Sequence, residues 1–171
     1  MGGRDMIGKN FNFRRYFSFG LIIIVVSLLF GCAHHVVPME VRERAEEIYT
    51  VNLLKNPDAY KGKFVIIGGF IVSSRNTPEG TYIEVVQKPL DFRGRPEDTA
   101  ISHGRFIVLY ESYLDTAIYS RGREITVAGE VIGKMVRPLG EIQYPYLLIK
   151  GKELYLFEPR RIPIKFEIGI W

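Results

Sequence analysis

The sequence predicts a mainly β fold: a small five-stranded barrel with short N-terminal helices, preceded by a segment of different character. Three observations predict it. Five runs rich in β-branched and aromatic residues follow one another between Phe64 and Phe157, bounded by Gly, Pro, Asn or Ser. Glycines fall inside the first and fourth runs, where a strand bends or bulges. A helical piece separates the third run from the fourth. Together these fit an OB-like barrel, whose closure also removes exposed strand edges. An open antiparallel sheet packed on the N-terminal helix is the alternative.

The first 31 residues read as a secretory signal. Arg14-Arg15 is followed by an apolar run that is ten residues long from Leu21 and fifteen from Tyr16. A spanning helix needs about 20 apolar residues, so the run is short for a permanent span. Met6 offers a second start that keeps the basic residues. The run ends in Leu29-Phe30-Gly31-Cys32, which resembles the bacterial lipobox. Its residue types have chemical reasons. A thiol takes a diacylglycerol thioether, and a small Gly31 admits the peptidase to the bond before Cys32. The freed amino group of Cys32 is then open to acylation with a fatty acid such as palmitate. Two or three chains, at about 0.8 kcal/mol per buried methylene, hold a protein stably where one does not. The alternative is an uncleaved signal anchor in which Cys32 is incidental. Ala33 stands where Asp would signal inner-membrane retention, so an outer membrane is the expected destination.

Residues 32–50 read as a lipidated tether and a short helix, with Val41, Ala45 and Ile48 or Tyr49 at helical spacing. Residues 51–158 form the barrel domain. Asn56-Pro57-Asp58 has the residue order of a helix start, and Gly62 stops the turn that follows. The expected strands are 64–72, with Gly68-Gly69 as its bend, then 81–86, 105–110, 124–132, with Gly129 as a second bend, and 146–149 continued or paired by 153–157. A short helix is expected within 112–119. Residues 159–171 form a strand-like extension in which Ile162, Ile164, Phe166, Ile168 and Ile170 alternate with other residues up to Trp171. It reads as an added edge strand, or as a segment for a partner or membrane interface.

Composition excludes several classes. One Cys among 171 residues rules out a disulfide scaffold and a Cys-based structural zinc site. At 47% hydrophobic the chain is too apolar to be disordered. The net charge of +4 comes from 23 basic and 19 acidic residues. Setting aside Arg4, Lys9, Arg14, Arg15 and Asp5 leaves 19 against 18 in the rest of the chain, which lacks the sustained basic surface of a nucleic-acid binder.

From Leu54 to Phe157 the chain resembles the Slp family of starvation-inducible outer-membrane lipoproteins. The resemblance is carried in order by Pro57-Asp-Ala-Tyr-Lys-Gly-Lys63, Ile67-Gly-Gly69, Thr81-Tyr-Ile-Glu-Val-Val86, Pro89-Leu-Asp91 and Gly94-Arg-Pro96. It continues through Gly104-Arg-Phe106, Leu114-Asp115, Ala117, Tyr119, Gly122-Arg-Glu-Ile-Thr-Val-Ala-Gly129 and Tyr144-Pro-Tyr146. Ile67 stands where the family often has an aromatic, and Thr116 where it often has Pro. The tail from Pro163 looks like an addition. The resemblance implies a lipid-anchored envelope protein and supplies no catalytic residues.

The residues themselves offer little catalytic chemistry. His34 and His35 lie on the tether. Ser102 and His103 are chain neighbours, which usually point apart and so do not make a nucleophile–base pair. No metal, cofactor or catalytic set is expected, and the chain reads as a non-enzyme. The enzyme alternative would use Glu84, Asp91 or Asp115 as acid or base, with two of them about 5–10 Å apart in one cleft. The best polar constellation is Asp91, Arg93, Arg95, Arg105, Asp115, Arg121 and Arg123. Of these, Arg95, Arg105 and Arg123 are candidates to clamp an anion. The alternative is that Asp91 and Asp115 pair with the arginines and pin loops. Tyr60, Tyr82, Tyr110 and Phe106 are candidates to stack on bases, but alternating aromatics are commoner in a barrel core. Export would remove nucleic-acid partners, so none is expected.

The expectation is therefore an outer-membrane lipoprotein, held by chains on Cys32 and facing the periplasm. It would serve envelope maintenance or stress by binding another envelope component, whether protein, lipid or glycan. The rival is an OB-like module for an anionic glycan, lipid or peptide.

Overall fold

The computed structural model describes residues 35–160. The predicted signal, Cys32, His34 and the strand pattern of the tail lie outside the described residues. Among the described residues the chain builds α1 (Met39–Arg44), α2 (Thr50–Lys55) and a 3-10 turn at Pro57–Tyr60. Five strands follow: β1 (Phe64–Thr77), β2 (Gly80–Lys88), β3 (Arg105–Tyr110), β4 (Glu124–Leu139) and β5 (Ile142–Leu156).

The strands close into a barrel in the order β1-β2-β3-β5-β4. All neighbours are antiparallel except β3 and β5, where Phe106 pairs with Leu147 and Leu109 with Lys150 in parallel. The predicted five-stranded OB-like barrel is thus the observed one. Alternation explains which residues fill it. Val65, Ile67, Ile83, Val85, Phe106, Val108, Ile125, Val127, Leu147 and Ile149 point inward and are buried, and Leu53 of α2 packs with them. A second apolar cluster lies apart from this core. Val37 and Val41 pack with Ala128 and with Val36, Phe64, Ile66 and Tyr155. Burying Val37 and Val41 fixes the N-terminal segment to the barrel, at about 1.5–3 kcal/mol each.

Several elements differ from the sequence reading. The expected helix across Val41–Tyr49 ends at Arg44, where Ala45 turns extended. Helix resumes at Thr50, which positions Leu53 in the core. Asn56 precedes the 3-10 turn without a side-chain cap, while Pro57 takes the first position as expected. The expected helix at 112–119 is a series of turns. There the Thr81 hydroxyl lies 2.9 Å from the Ser112 carbonyl and accepts the Leu114 N–H at 3.0 Å, so the start of the segment is tied to β2, and the Ile118 and Tyr119 N–H groups close a turn within it, on the Asp115 carbonyl.

Gly68 and Gly69 sit in regular register with both β2 and β4, and the bulge comes later, at Val72. Glycine is required at 69 for another reason: a Cβ there would fall on the Val86 carbonyl. Gly129 does lie at a register shift, opposite an extra residue in β5. A further shift at Ile132–Gly133 lets β4 and β5 run on together as a long hairpin that turns at Gly140-Glu141.

A candidate ligand groove between two hairpins

The β1–β2 and β4–β5 hairpins border an open groove of about 620 Å³, lined by Ser73, Ser74, Arg75, Tyr82, Glu84, Arg137 and Pro138. Register positions the first of these. Arg75 stands opposite Tyr82, and Ser73 opposite Glu84, just past the Val72 bulge. The extension of β4 beyond Gly133 brings Arg137 across, with its guanidinium 5.0 Å from the Tyr82 ring centroid. That distance is within the range of a cation–π contact.

Glu84 is already engaged. Its Oε1 accepts from Arg105 Nη1 at 2.6 Å and from the Tyr146 hydroxyl at 3.2 Å. Burial pushes the Tyr146 phenol above its ordinary pKa, and the Glu84 charge adds to the effect. Tyr144 meets the Tyr146 ring edge-on at 4.8 Å, and its hydroxyl accepts the Arg105 N–H at 3.2 Å. These contacts tie β2, β3 and β5 together beside the groove. The lining itself offers the Ser73 hydroxyl, two guanidinium groups and the Tyr82 ring with Arg137 over it, while the Ser74 hydroxyl donates to the Tyr119 carbonyl. That set suits a ligand with planar or sugar-like faces and acidic groups.

The three predicted anion-binding arginines do not meet in one mouth. Arg105 lies with Glu84. Arg95 pairs through Nε with Glu124 and donates to the Glu158 carbonyl at 3.0 Å. Arg123 donates to the carbonyls of Phe157 at 2.8 Å and Ile118 at 3.3 Å. Arg105, Val86, Phe70 and Glu124 are successive cross-strand partners. At about 4.8 Å per strand, Arg105 and Glu124 are therefore roughly 14 Å apart around the wall.

The predicted aspartates pin loops, but by capping backbone rather than by pairing with arginine. Asp91 Oδ1 accepts the N–H groups of Arg93 at 2.8 Å and Arg95 at 2.9 Å. Asp115 Oδ1 accepts that of Ala117 at 2.8 Å. His103 donates its backbone N–H to Gln87, and Ser102 bonds locally to Gly104. His35 Nδ1 bonds to the Val37 backbone N–H at 3.0 Å. Of the four stacking candidates, Tyr82 lines the groove, while Phe106 is fully buried in the barrel and Tyr60 packs against the same core. Among the described residues no group of three or more His, Cys, Asp or Glu side chains gathers as a metal site.

Sequence reasoning missed Ser73, Ser74, Arg75, Arg137 and Pro138. The first and fourth strands expected from the sequence end at 72 and 132, which leaves these residues outside any strand. The available signal was in the sequence between the fourth and fifth runs, where Met135-Val136 and Leu139 precede Gly140-Glu141. Apolar residues ahead of a Gly-containing turn mark a hairpin extension.

Comparison with known proteins gives three likenesses. The profile of the outer membrane lipoprotein Slp family matches residues 29–167. An uncharacterized lipoprotein of Escherichia coli (strain K12), YeaY, is 28% identical over 100 residues, which is 58% of this chain and 51% of that protein. The chain thus spans about half the length of the curated relative it matches. Among solved structures, a small single-stranded DNA-binding protein from Streptomyces coelicolor aligns with a TM-score of 0.33 and 14% identity, over 56% of this chain and 92% of that one.

Proposed function

The chain belongs to the Slp family of outer membrane lipoproteins, and on that premise we propose that it is anchored through acyl chains on Cys32 and binds another envelope component non-catalytically. Residues 1–31 act as a signal that is removed, 32–50 as tether and short helix, 51–158 as the binding domain and 159–171 as a strand-like C-terminal segment, which the family profile covers as far as residue 167. The domain faces the periplasm. The role is envelope maintenance or stress response, carried by association rather than by a reaction.

The observation that carries the binding role is the groove between the hairpins. Glu84, its carboxylate, is held by Arg105 and Tyr146, which suits a fixed scaffold. Tyr82, Arg75 and Arg137 line the open side. The same lining favours the more specific reading, a module for an anionic glycan, lipid or peptide. In that reading the recognising cations are Arg75 and Arg137. Arg95 and Arg123 instead hold the Phe157–Glu158 segment, and Arg105 acts from beside the groove through Glu84.

In-cell crosslinking from a photoreactive residue at position 82 tests this reading. The expected result is one discrete crosslinked envelope component, lost when Arg75→Glu and Arg137→Glu are combined while the barrel stays folded. A crosslinking pattern that the double substitution leaves unchanged would remove the groove from the account.

A further inference from the structure

The loop between β2 and β3 carries an exposed aromatic at the point where the N-terminal tether meets the barrel. Phe92 is 74% exposed; a single exposed ring is ordinary on a protein surface, and what distinguishes this one is its place beside the tether. The loop is firmly built. Asp91 caps the N–H groups of Arg93 and Arg95, and its own N–H bonds to the Arg95 carbonyl at 2.8 Å. The buried Thr126 hydroxyl donates to the Gly94 carbonyl at 2.6 Å. Arg93 keeps its guanidinium 5.2 Å from the Phe92 ring centroid.

The tether is bonded to this same loop. The Val36 N–H donates to the Arg93 carbonyl at 2.8 Å. The His35 ring lies so close to Gly94 that a Cβ there would meet its Cε1 at 2.6 Å. Three Cα–Cα steps, through Ala33 and His34, separate His35 from Cys32, a reach of at most about 11 Å. An anchor on Cys32 therefore brings the bilayer to within one loop's height of Phe92.

We propose that the Phe92–Arg93 loop is a membrane-contact element, in which Phe92 enters the headgroup–acyl boundary and Arg93 pairs with a phospholipid phosphate. The inference rests on the Cys32 anchor proposed above. The pairing of an aromatic ring with a cation suits an interface that is apolar below and anionic above. It also orients the molecule. Ser112 bonds to Thr81 at the opposite end of β2, so the neighbouring Tyr113, 71% exposed, lies at that far end. Tyr82 of the groove is there too. From Thr81 to Lys88 the strand rises roughly 23 Å at about 3.3 Å per residue. The groove is thus held out from the bilayer while the loop rests on it.

The test uses the full lipidated chain in vesicles of phosphatidylethanolamine and phosphatidylglycerol doped with brominated lipid. In a Trp171→Phe background, one variant carries Phe92→Trp and another Tyr113→Trp. The expected result is that tryptophan at 92 loses most of its emission and shifts to the blue, while tryptophan at 113 keeps the emission of an exposed ring. Vesicle-bound, acylated protein with an unquenched tryptophan at 92 would overturn the loop contact and leave the anchor standing. Equal quenching at both positions would also overturn it. Absence of acyl label on the chain would sink the anchor itself, and this inference with it.

Discussion

At the scale of single residues, polar side chains buried at strand ends do much of the joining. The Thr81 hydroxyl is fully buried, 2.6 Å from Asn76 Oδ1 and 2.9 Å from the Ser112 carbonyl, and it accepts the Leu114 N–H. Thr81→Val removes these partners and leaves the Leu114 N–H unsatisfied. The expected loss is about 1–3 kcal/mol in urea unfolding. Glu124, with a side chain only 7% exposed, bonds both Arg95 and Arg160. Its two partners are partly in water, so the cost of Glu124→Ala is discounted from that of a fully buried pair to about 1–3 kcal/mol. Arg95→Ala should likewise lower the urea midpoint, and crosslinking from position 82 should be unchanged. These roles were hard to see in the sequence. Arg95 reads as an anion clamp because loop arginines often are one. Glu124 is 29 residues away in sequence, and only the barrel's closure brings the two together.

At the scale of elements, the β4–β5 hairpin forms one wall of the groove, and its root is fixed at Gly133. That glycine has φ of +124°, and a Cβ there would strike the Lys61 side chain. Gly133→Ala should destabilise the protein by about 1–3 kcal/mol, and the loss should show first as faster amide exchange in the hairpin. The 3-10 turn clamps the same root. Asp58 bonds Lys134 at 3.1 Å and Lys61 at 3.2 Å. These hydrogen bonds hold its carboxyl below the ordinary value of 3.8. A depressed folded-state pKa means that the clamp's contribution is complete above about pH 4 and is lost as pH falls through the lowered value. Asp58→Asn should therefore flatten the lowest part of the acid limb in a plot of stability against pH. The strand cores at 64–72, 81–86, 105–110 and 124–132 were legible because alternation and β-branching mark half-buried strands. The hairpin extensions were not. On β4 beyond Gly133 every side chain is exposed or half-buried, so the hydrophobic alternation fades there although the backbone ladder continues. The glycine pair was visible, but its cause was not. Gly69 is small because β2 approaches closely, while the bulge sits at Val72.

At the scale of the whole molecule, the barrel domain is an almost neutral scaffold that presents two surfaces at opposite ends of β2. One is the Phe92–Arg93 loop beside the tether, and the other is the groove with Tyr82, Arg75 and Arg137. The segment that dominates the sequence reading, Leu29-Phe30-Gly31-Cys32, lies outside the described residues, and yet the arrangement of the barrel takes its meaning from it. The family makes the chain an outer membrane lipoprotein, and the central claim is that Cys32 is where its acyl chains attach. Metabolic labelling with a radioactive fatty acid, followed by membrane fractionation of the wild-type chain and of Cys32→Ala, tests that claim most directly. The account predicts that the wild type is labelled and sediments with the outer membrane, and that Cys32→Ala carries no label and leaves that fraction. A Cys32→Ala chain that kept its label and stayed in the outer membrane would contradict it.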